Sequence, residues 1–317
     1  DLLWNGQLPT PGEAENLRQY LAKHRDLNQA ACATLAGLPT NANPMDALRT
    51  ILSAQGVGPG CPKPDFQQAI ALTATTPTAI TAYYRHQQGL RPITPQDDLS
   101  HAANFLYMFH CEKPSERHVR CLESYLIMMA DHGYNPSTFT ACVVASTNSD
   151  IFSSIVAAIG TLKGTAHGGA VTEAHRMIEK VGSPENAEHF VLDKLERKER
   201  LMGFGHREYR TYDPRAKILR ELCKEVNEQY FKCASKVEEV TLRELLHRYP
   251  ERPNLTNVDF YAGGVLEAVG IPREFFTCTL AASRVVGWTF HVIEYMERNG
   301  RMISPTSEWT GPEPKQA

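Results

Sequence analysis

The sequence predicts an all-α fold divided between two domains that share a cleft. Segments rich in Ala, Leu, Glu and Arg, with apolar residues three and four apart, recur from end to end, which is the period of helices with one buried face. Strictly alternating runs bounded by turn residues, the mark of strands, are hard to find. With 317 residues, the chain exceeds the length at which one core usually stops growing, which favours two bodies over one.

Taken in order, breakers at Gly56-Val57-Gly58-Pro59-Gly60, Gly89 to Pro95 and Pro250 to Pro253 divide the chain into helices of ordinary length. The apolar stretch Ile151 to Leu162 is broken by Ser153, Ser154 and Gly160. It falls short of the ~20 residues a bilayer span needs and reads as a buried core helix. Asp213-Pro214, an N-cap followed by a first-turn proline, opens the clearest helix, whose stripe runs through Leu219, Leu222, Val226 and Tyr230. A further helix ends near Gly270 and Pro272, and a long final one runs from about Thr279 to Glu297, closing at Asn299-Gly300. The tail from Ser304 to Ala317 carries three prolines and is expected to be extended.

Composition excludes several classes of function. The chain is 42% hydrophobic and 22% charged, with mean hydropathy −0.36, as in an ordinary globular protein. A net charge of −3 without blocks of like charge offers no nucleic-acid or membrane surface. Eight cysteines without a C-x-x-C pair, and histidines without H-x-x-x-H spacing, argue against a metal site. Reduced structural thiols in a cytoplasmic setting fit best. The chain opens Asp1-Leu2-Leu3-Trp4 without Met or a leader pattern, so it is expected to lack its native start.

Three spots break the helical pattern. In Lys163-Gly164-Thr165-Ala166-His167-Gly168-Gly169-Ala170 a histidine sits between glycines just before a new helix. It is either a satisfied loop histidine or, kept neutral by the helix dipole, a group able to polarise a carbonyl. The second spot is Met202-Gly203-Phe204-Gly205-His206, leading to Arg215 in the first turn of the next helix. Glu208 stands where a dinucleotide loop needs its third glycine, so that reading fails. What remains is a glycine loop bearing His206, with Arg215 either a surface charge or a bidentate carboxylate ligand. In the third spot, Asn257-Val258-Asp259-Phe260-Tyr261, Asp259 is either a helix cap or a base strengthened by apolar surroundings. Weaker marks are Asp131-His132-Gly133 at a helix end and Arg284 within the apolar final helix. Arg284 needs a partner there, either a buried carboxylate or an anionic ligand.

In this order these segments resemble the citrate synthase family. Leu3-Trp4-Asn5-Gly6, Asp98 to Tyr107 and Thr310-Gly311 extend the likeness over nearly the whole chain. The resemblance implies an almost wholly α-helical homodimer or dimer-based oligomer. Its large domain comprises residues 1–167 and 271–317, and a smaller mobile domain covers 168–270. It implies condensation of acetyl-CoA with oxaloacetate to give citrate, with a longer acyl-CoA (2-methylcitrate or alkylcitrate synthesis), citryl-CoA cleavage or a non-catalytic role as alternatives. Asp259 would be the base, His167 would hold the enol or enolate oxygen, and His206 would polarise the ketone. His132, Arg215 and Arg284 would bind the carboxylates of the oxo acid. Leu201, Met202, Gly203, Phe204, Gly205 and Arg210 would contact coenzyme A, whose thioester is a co-substrate, with no tightly bound cofactor.

The sequence departs from the family pattern at Thr165 (usually Pro), Val171 (usually Asn) and Glu208 (usually Val or Ile). It also has Ser304 where relatives commonly carry an arginine that reaches the neighbouring subunit's site. Arg301, three residues upstream, is the candidate substitute.

Overall fold

A computed structural model describes residues 2–58, 63–206, 209, 211–251, 255–298 and 300–311. Among them lie fifteen α-helices: α1 (Leu2–Asn5), α2 (Pro11–Ala22), α3 (Gln29–Gly37), α4 (Pro44–Gln55), α5 (Phe66–Gln87), α6 (His101–His110), α7 (Glu116–Met129), α8 (Pro136–Ala145), α9 (Ile151–Leu162), α10 (Ala170–Val181), α11 (Ala187–Glu196), α12 (Pro214–Val226), α13 (Glu228–Arg248), α14 (Asp259–Ala268) and α15 (Phe276–Arg298). Extended pairing among the described residues is confined to one isolated bridge, Phe204 with Thr256. The all-α expectation is met.

Local chemistry sets most helix starts. Thr10 with Glu13, and Asp65 with Gln68, form reciprocal capping boxes on α2 and α5. Asn28, Asn43, Ser100, Ser115, Asn135, Asp150 and Asp213 each accept a first-turn N–H. Prolines follow the caps at Pro44, Pro136 and Pro214, where the missing N–H costs nothing.

α15 is the spine of the larger group of helices. It packs on α5, α7, α8 and α9 and buries Trp288 completely. α5 beside it is buried along most of its length, and the hydroxyls of Thr73, Thr75, Thr76 and Thr81 donate back to carbonyls one turn earlier. Buried hydroxyls are thereby satisfied without leaving the helix. Among the described residues no helix is long and apolar enough to cross a membrane. α10 to α14 pack chiefly on one another and meet the larger group through α7 and α15.

Two expected boundaries shift. The stripe from Leu219 to Tyr230 belongs to two helices, because Asn227 (φ −144°, ψ 70°) ends α12 and caps α13 by accepting the Tyr230 N–H. Apolar spacing carries across this break, so periodicity alone hides it. The last helix starts at Phe276 rather than Thr279, fed by a 3-10 turn over Arg273–Phe275. α9 occupies the predicted Ile151–Leu162. The described cysteines are all free thiols, with five of the seven buried. Residues 304–310 have no regular structure and are exposed.

Candidate active site

His167 sits in a turn that only glycine can complete. Its N–H donates to Gly164 O, and the Gly168 N–H donates to Leu162 O at 3.0 Å. A Cβ on Gly168 would stand 2.4 Å from that same oxygen. The imidazole Nε2 lies 2.9 Å from Ser137 Oγ, which accepts a hydrogen bond from Trp288 Nε1 at 3.0 Å. Burial, then the nearby Arg284 charge, depress the His167 pKa to about 4, so the ring is neutral at physiological pH. Ser137 Oγ also lies 2.7 Å from Asn135 Oδ1, so its single proton serves either that oxygen or His167 Nε2; with the proton on the Nε2 contact, the ring's own proton sits on Nδ1.

The second histidine is fixed by stitching its loop to the segment that precedes α14. Gly205 N–H donates to Leu255 O (2.8 Å), Asn257 N–H to Gly203 O (2.9 Å) and Asn257 Nδ2 to Gly205 O (2.9 Å). Gly203 and Gly205 hold φ of +85° and +81°, and a Cβ on Gly203 would lie 2.7 Å from the Phe260 ring. Glycine is required at 203 on both counts. His206 Nδ1 accepts the Tyr209 N–H at 3.0 Å, which in the neutral ring assigns the proton to Nε2. The His132 ring stands edge-on to His206 with centroids 5.0 Å apart.

Asp259 begins α14, and its helix start is capped by other residues. Asn257 Oδ1 accepts the Asp259 N–H (3.0 Å), and Asp213 Oδ2 accepts the Val258 N–H (3.1 Å). The carboxylate is therefore not used as a cap. Burial raises its pKa to about 6, with the Arg215 and Arg284 charges opposing the shift and Asp213 adding to it. A carboxylate with that basicity is suited to take a proton.

Three groups expected to bind carboxylates converge here. Arg215 grips Asp213 in a bidentate pair (Nε–Oδ1 3.1 Å, Nη2–Oδ2 2.9 Å) and lies over the Tyr209 ring. Asp213 is buried, and although burial alone would raise its pKa, its bonds to Arg215 and Val258 hold it below the usual value. Arg284 is 5% exposed, donates Nε to Met129 O (2.7 Å) and has no carboxylate within ion-pair range among the described residues. The buried ion pair that the sequence left open is therefore absent there, and burial lowers the Arg284 pKa to about 10. Burial and the charges of Arg215 and Arg284 also drive His132 down to about 4. Its turn is braced from α15: His291 lies 3.0 Å from Asp131 Oδ1, and the Gly287 N–H donates to Ala130 O.

A cavity of about 660 Å³ adjoins His206 and is lined by Leu201, Phe204 and Gly205 together with Lys198, Arg200 and Tyr249. Met202 and Gly203, also expected to face a ligand, are not on its wall, because Gly203 packs against Phe260. Arg210, with Arg207 and Glu208, lies outside the described residues. Sequence reasoning missed Lys198 and Arg200, although the basic run Lys194, Arg197, Lys198, Arg200 just before the glycine loop is a readable signal. It also missed Ser137, whose role depends on a partner 30 residues away.

Two neutral histidines, His132 and His167, and the basic carboxylate of Asp259 each feel the charge of the buried Arg284, an arrangement suited to carbon acid chemistry on an anionic substrate. The family model for the citrate synthase C-terminal domain matches residues 1–306, and the chain belongs to the citrate synthase family. It is 39% identical to citrate synthase 2 of Bacillus subtilis, over 98% of this chain and 85% of that protein. It is 38% identical to a 2-methylcitrate synthase of Mycobacterium tuberculosis, over 98% and 79%. Among solved structures, citrate synthase from Thermotoga maritima superposes with TM-score 0.86 at 40% identity, covering all of this chain and 85% of that one. The Thermoplasma acidophilum citrate synthase, in ternary complex with carboxymethyl coenzyme A and oxaloacetate, gives TM-score 0.91 at 28% identity, over 100% and 85%.

Proposed function

We propose that this chain condenses acetyl-CoA with oxaloacetate, releasing citrate and free coenzyme A. The observation that carries this reading is that Asp259, raised by burial to a pKa of about 6, and the neutral His167, anchored through Ser137, both feel the charge of the buried Arg284. An α-proton is too weakly acidic for a carboxylate unless the developing oxyanion is stabilised at the same moment. Asp259 takes a proton from the acetyl methyl group while His167 Nδ1–H donates to the thioester oxygen. The resulting enol or enolate carbon attacks the ketone of oxaloacetate, whose oxygen accepts from His206 Nε2–H and is protonated as the new C–C bond forms. Water then adds to the thioester carbonyl and the thiol departs, giving citrate.

Arg284, Arg215 and His132 hold the oxo acid's carboxylates. Arg215 retains N–H groups beyond those used on Asp213, and Arg284 spends only Nε on the backbone. Coenzyme A lies against Leu201, Phe204 and Gly205, with Lys198 and Arg200 toward its phosphates. The mutual packing of α10 to α14 supports a mobile domain over residues 168–270, against a large domain of 1–167 and 271–317, that closes to exclude water. A cytoplasmic homodimer fits the free cysteines and the family. Ser304, exposed on the tail, carries no charge where relatives commonly have an arginine, and Arg301 is the candidate to take its place.

Citrate and 2-methylcitrate synthases match the chain almost equally, so acyl length is the second reading. The test supplies oxaloacetate with acetyl-, propionyl- or hexanoyl-CoA, follows free thiol and identifies products by mass spectrometry, with Asp259→Ala as control. Oxaloacetate-dependent release that is fastest with acetyl-CoA and absent in the variant is the expected result. Preference for a longer chain would make the enzyme an alkylcitrate synthase, and no release with any thioester would favour a non-catalytic role.

A further inference from the structure

A second cluster of ionisable groups lies outside this cleft and joins α10 to α14. His175 and Glu179 stand one turn apart on α10, and Glu267 reaches them from the end of α14. One nitrogen and two carboxylate oxygens from these residues lie within 4.8 Å of one another. His175 is 2% exposed, yet neither ring nitrogen makes a hydrogen bond of acceptable geometry. A buried imidazole in that condition is uncommon. Its Nε2 is 3.3 Å from Glu267 Oε1, and its Nδ1 is 3.8 Å from Glu179 Oε2. The shorter separation is close to the ~3.4 Å edge of a tetrahedron whose nitrogen and oxygen ligands sit ~2.0–2.2 Å from a zinc ion.

The surroundings hold the three groups in place. Asn227 Nδ2 donates to Glu267 Oε2 at 2.9 Å, leaving Oε1 toward the histidine. Arg273 binds Glu179 Oε2, the oxygen 3.8 Å from His175 Nδ1, so ligation by Glu179 would fall to its Oε1. Such bonds to the far side of a ligating carboxylate are what orient metal ligands. The imidazole stacks on Tyr230 and meets the edge of Phe276. It fits against Gly263, where a Cβ would come within 3.0 Å of the ring Cδ2. Both carboxylates are nearly half exposed, which gives an ion a way in. The charge of Arg273 offsets one of the two carboxylates, and the remaining negative charge suits a dication.

We propose that His175, Glu179 and Glu267 form a binding site for a divalent transition-metal ion, zinc by its ligand chemistry, with water completing the coordination. The ion would clamp α10, which follows the His167 turn, to α14, which begins with Asp259. This site does not depend on the reading of the cleft.

The test uses the whole chain, stripped with a chelator and titrated with Zn²⁺ by calorimetry and with Co²⁺ by visible absorption. One equivalent should bind, and Zn²⁺ should raise the melting temperature. Glu267→Gln and Glu179→Gln, changes at half-exposed side chains, should each lower affinity at least tenfold with an unaltered far-ultraviolet circular dichroism spectrum. Binding should also weaken as pH falls below the histidine range. Cobalt bands free of sulfur charge transfer separate this site from capture by the exposed Cys32 or Cys111. No saturable binding at micromolar Zn²⁺, sulfur-to-cobalt bands, or affinity unchanged in both glutamine variants would overturn the proposal.

Discussion

At the scale of single residues, Asp259 connects rate and stability through one ionisation. Its basic form exists above a pKa of about 6, while His167 and His132 remain neutral down to about 4. kcat/KM should therefore rise about tenfold per pH unit below 6 and level off above it, which a pH profile with saturating oxaloacetate measures. A flat profile from pH 5 to 8 would remove Asp259 from the role of base. The same shift has the opposite sign for folding. An aspartate ordinarily titrating at 3.8 and raised to about 6 binds its proton more tightly folded than unfolded, so it lowers stability as pH rises between those values. Asp259→Asn should accordingly be more stable than the parent at pH 7.5, by about 1–3 kcal/mol. The advantage should fade as pH approaches 4, and denaturant titrations at the two pH values check both the sign and the window.

At the scale of elements, the site depends on the stitch between residues 203–205 and 255–257, which fixes the His206 loop beside α14. Gly203→Ala combines a left-handed backbone with a contact on Phe260 and should cost about 2–4 kcal/mol. It should lower kcat and raise the KM for acyl-CoA together, since the cavity wall and His206, proposed to polarise the ketone, share the loop. Unchanged kinetics would mean that the stitch does not position the chemistry. Much of this scale was legible in the sequence. α9 has the predicted ends because Asp150 caps it and Ser153, Ser154 and Gly160 interrupt its apolar stretch without ending the helix, and α12 begins at its Asp-Pro signal. The break at Asn227 was hidden because the apolar spacing of α12 continues into α13. The second task of Asp213, holding Val258 as well as Arg215, joins residues 45 apart and has no local signature. Ser137 behind His167 was obscured for the same reason.

At the scale of the whole molecule, the proposed oxo-acid site draws on both helical groups: Arg215 comes from α12, Arg284 from α15 and His132 from the turn after α7. A ligand that bridges them stabilises the entire fold by mass action, about 2.7 kcal/mol at a hundred times its Kd. Oxaloacetate alone should therefore raise the melting temperature, without acyl-CoA and without turnover. Arg284 gives this prediction its sharper form. A buried guanidinium lacking a carboxylate partner among the described residues is a cost the free protein bears, and an apolar side chain of similar length removes it. Arg284→Met should therefore melt no lower than the parent when free, yet lose the oxaloacetate-induced rise. Calorimetry with and without oxaloacetate separates the alternatives. A variant that melts lower and keeps the full rise would mean that Arg284 serves packing and that the substrate's charge is met elsewhere. Unchanged free stability with the rise abolished would identify an arginine retained for its ligand at the expense of the fold.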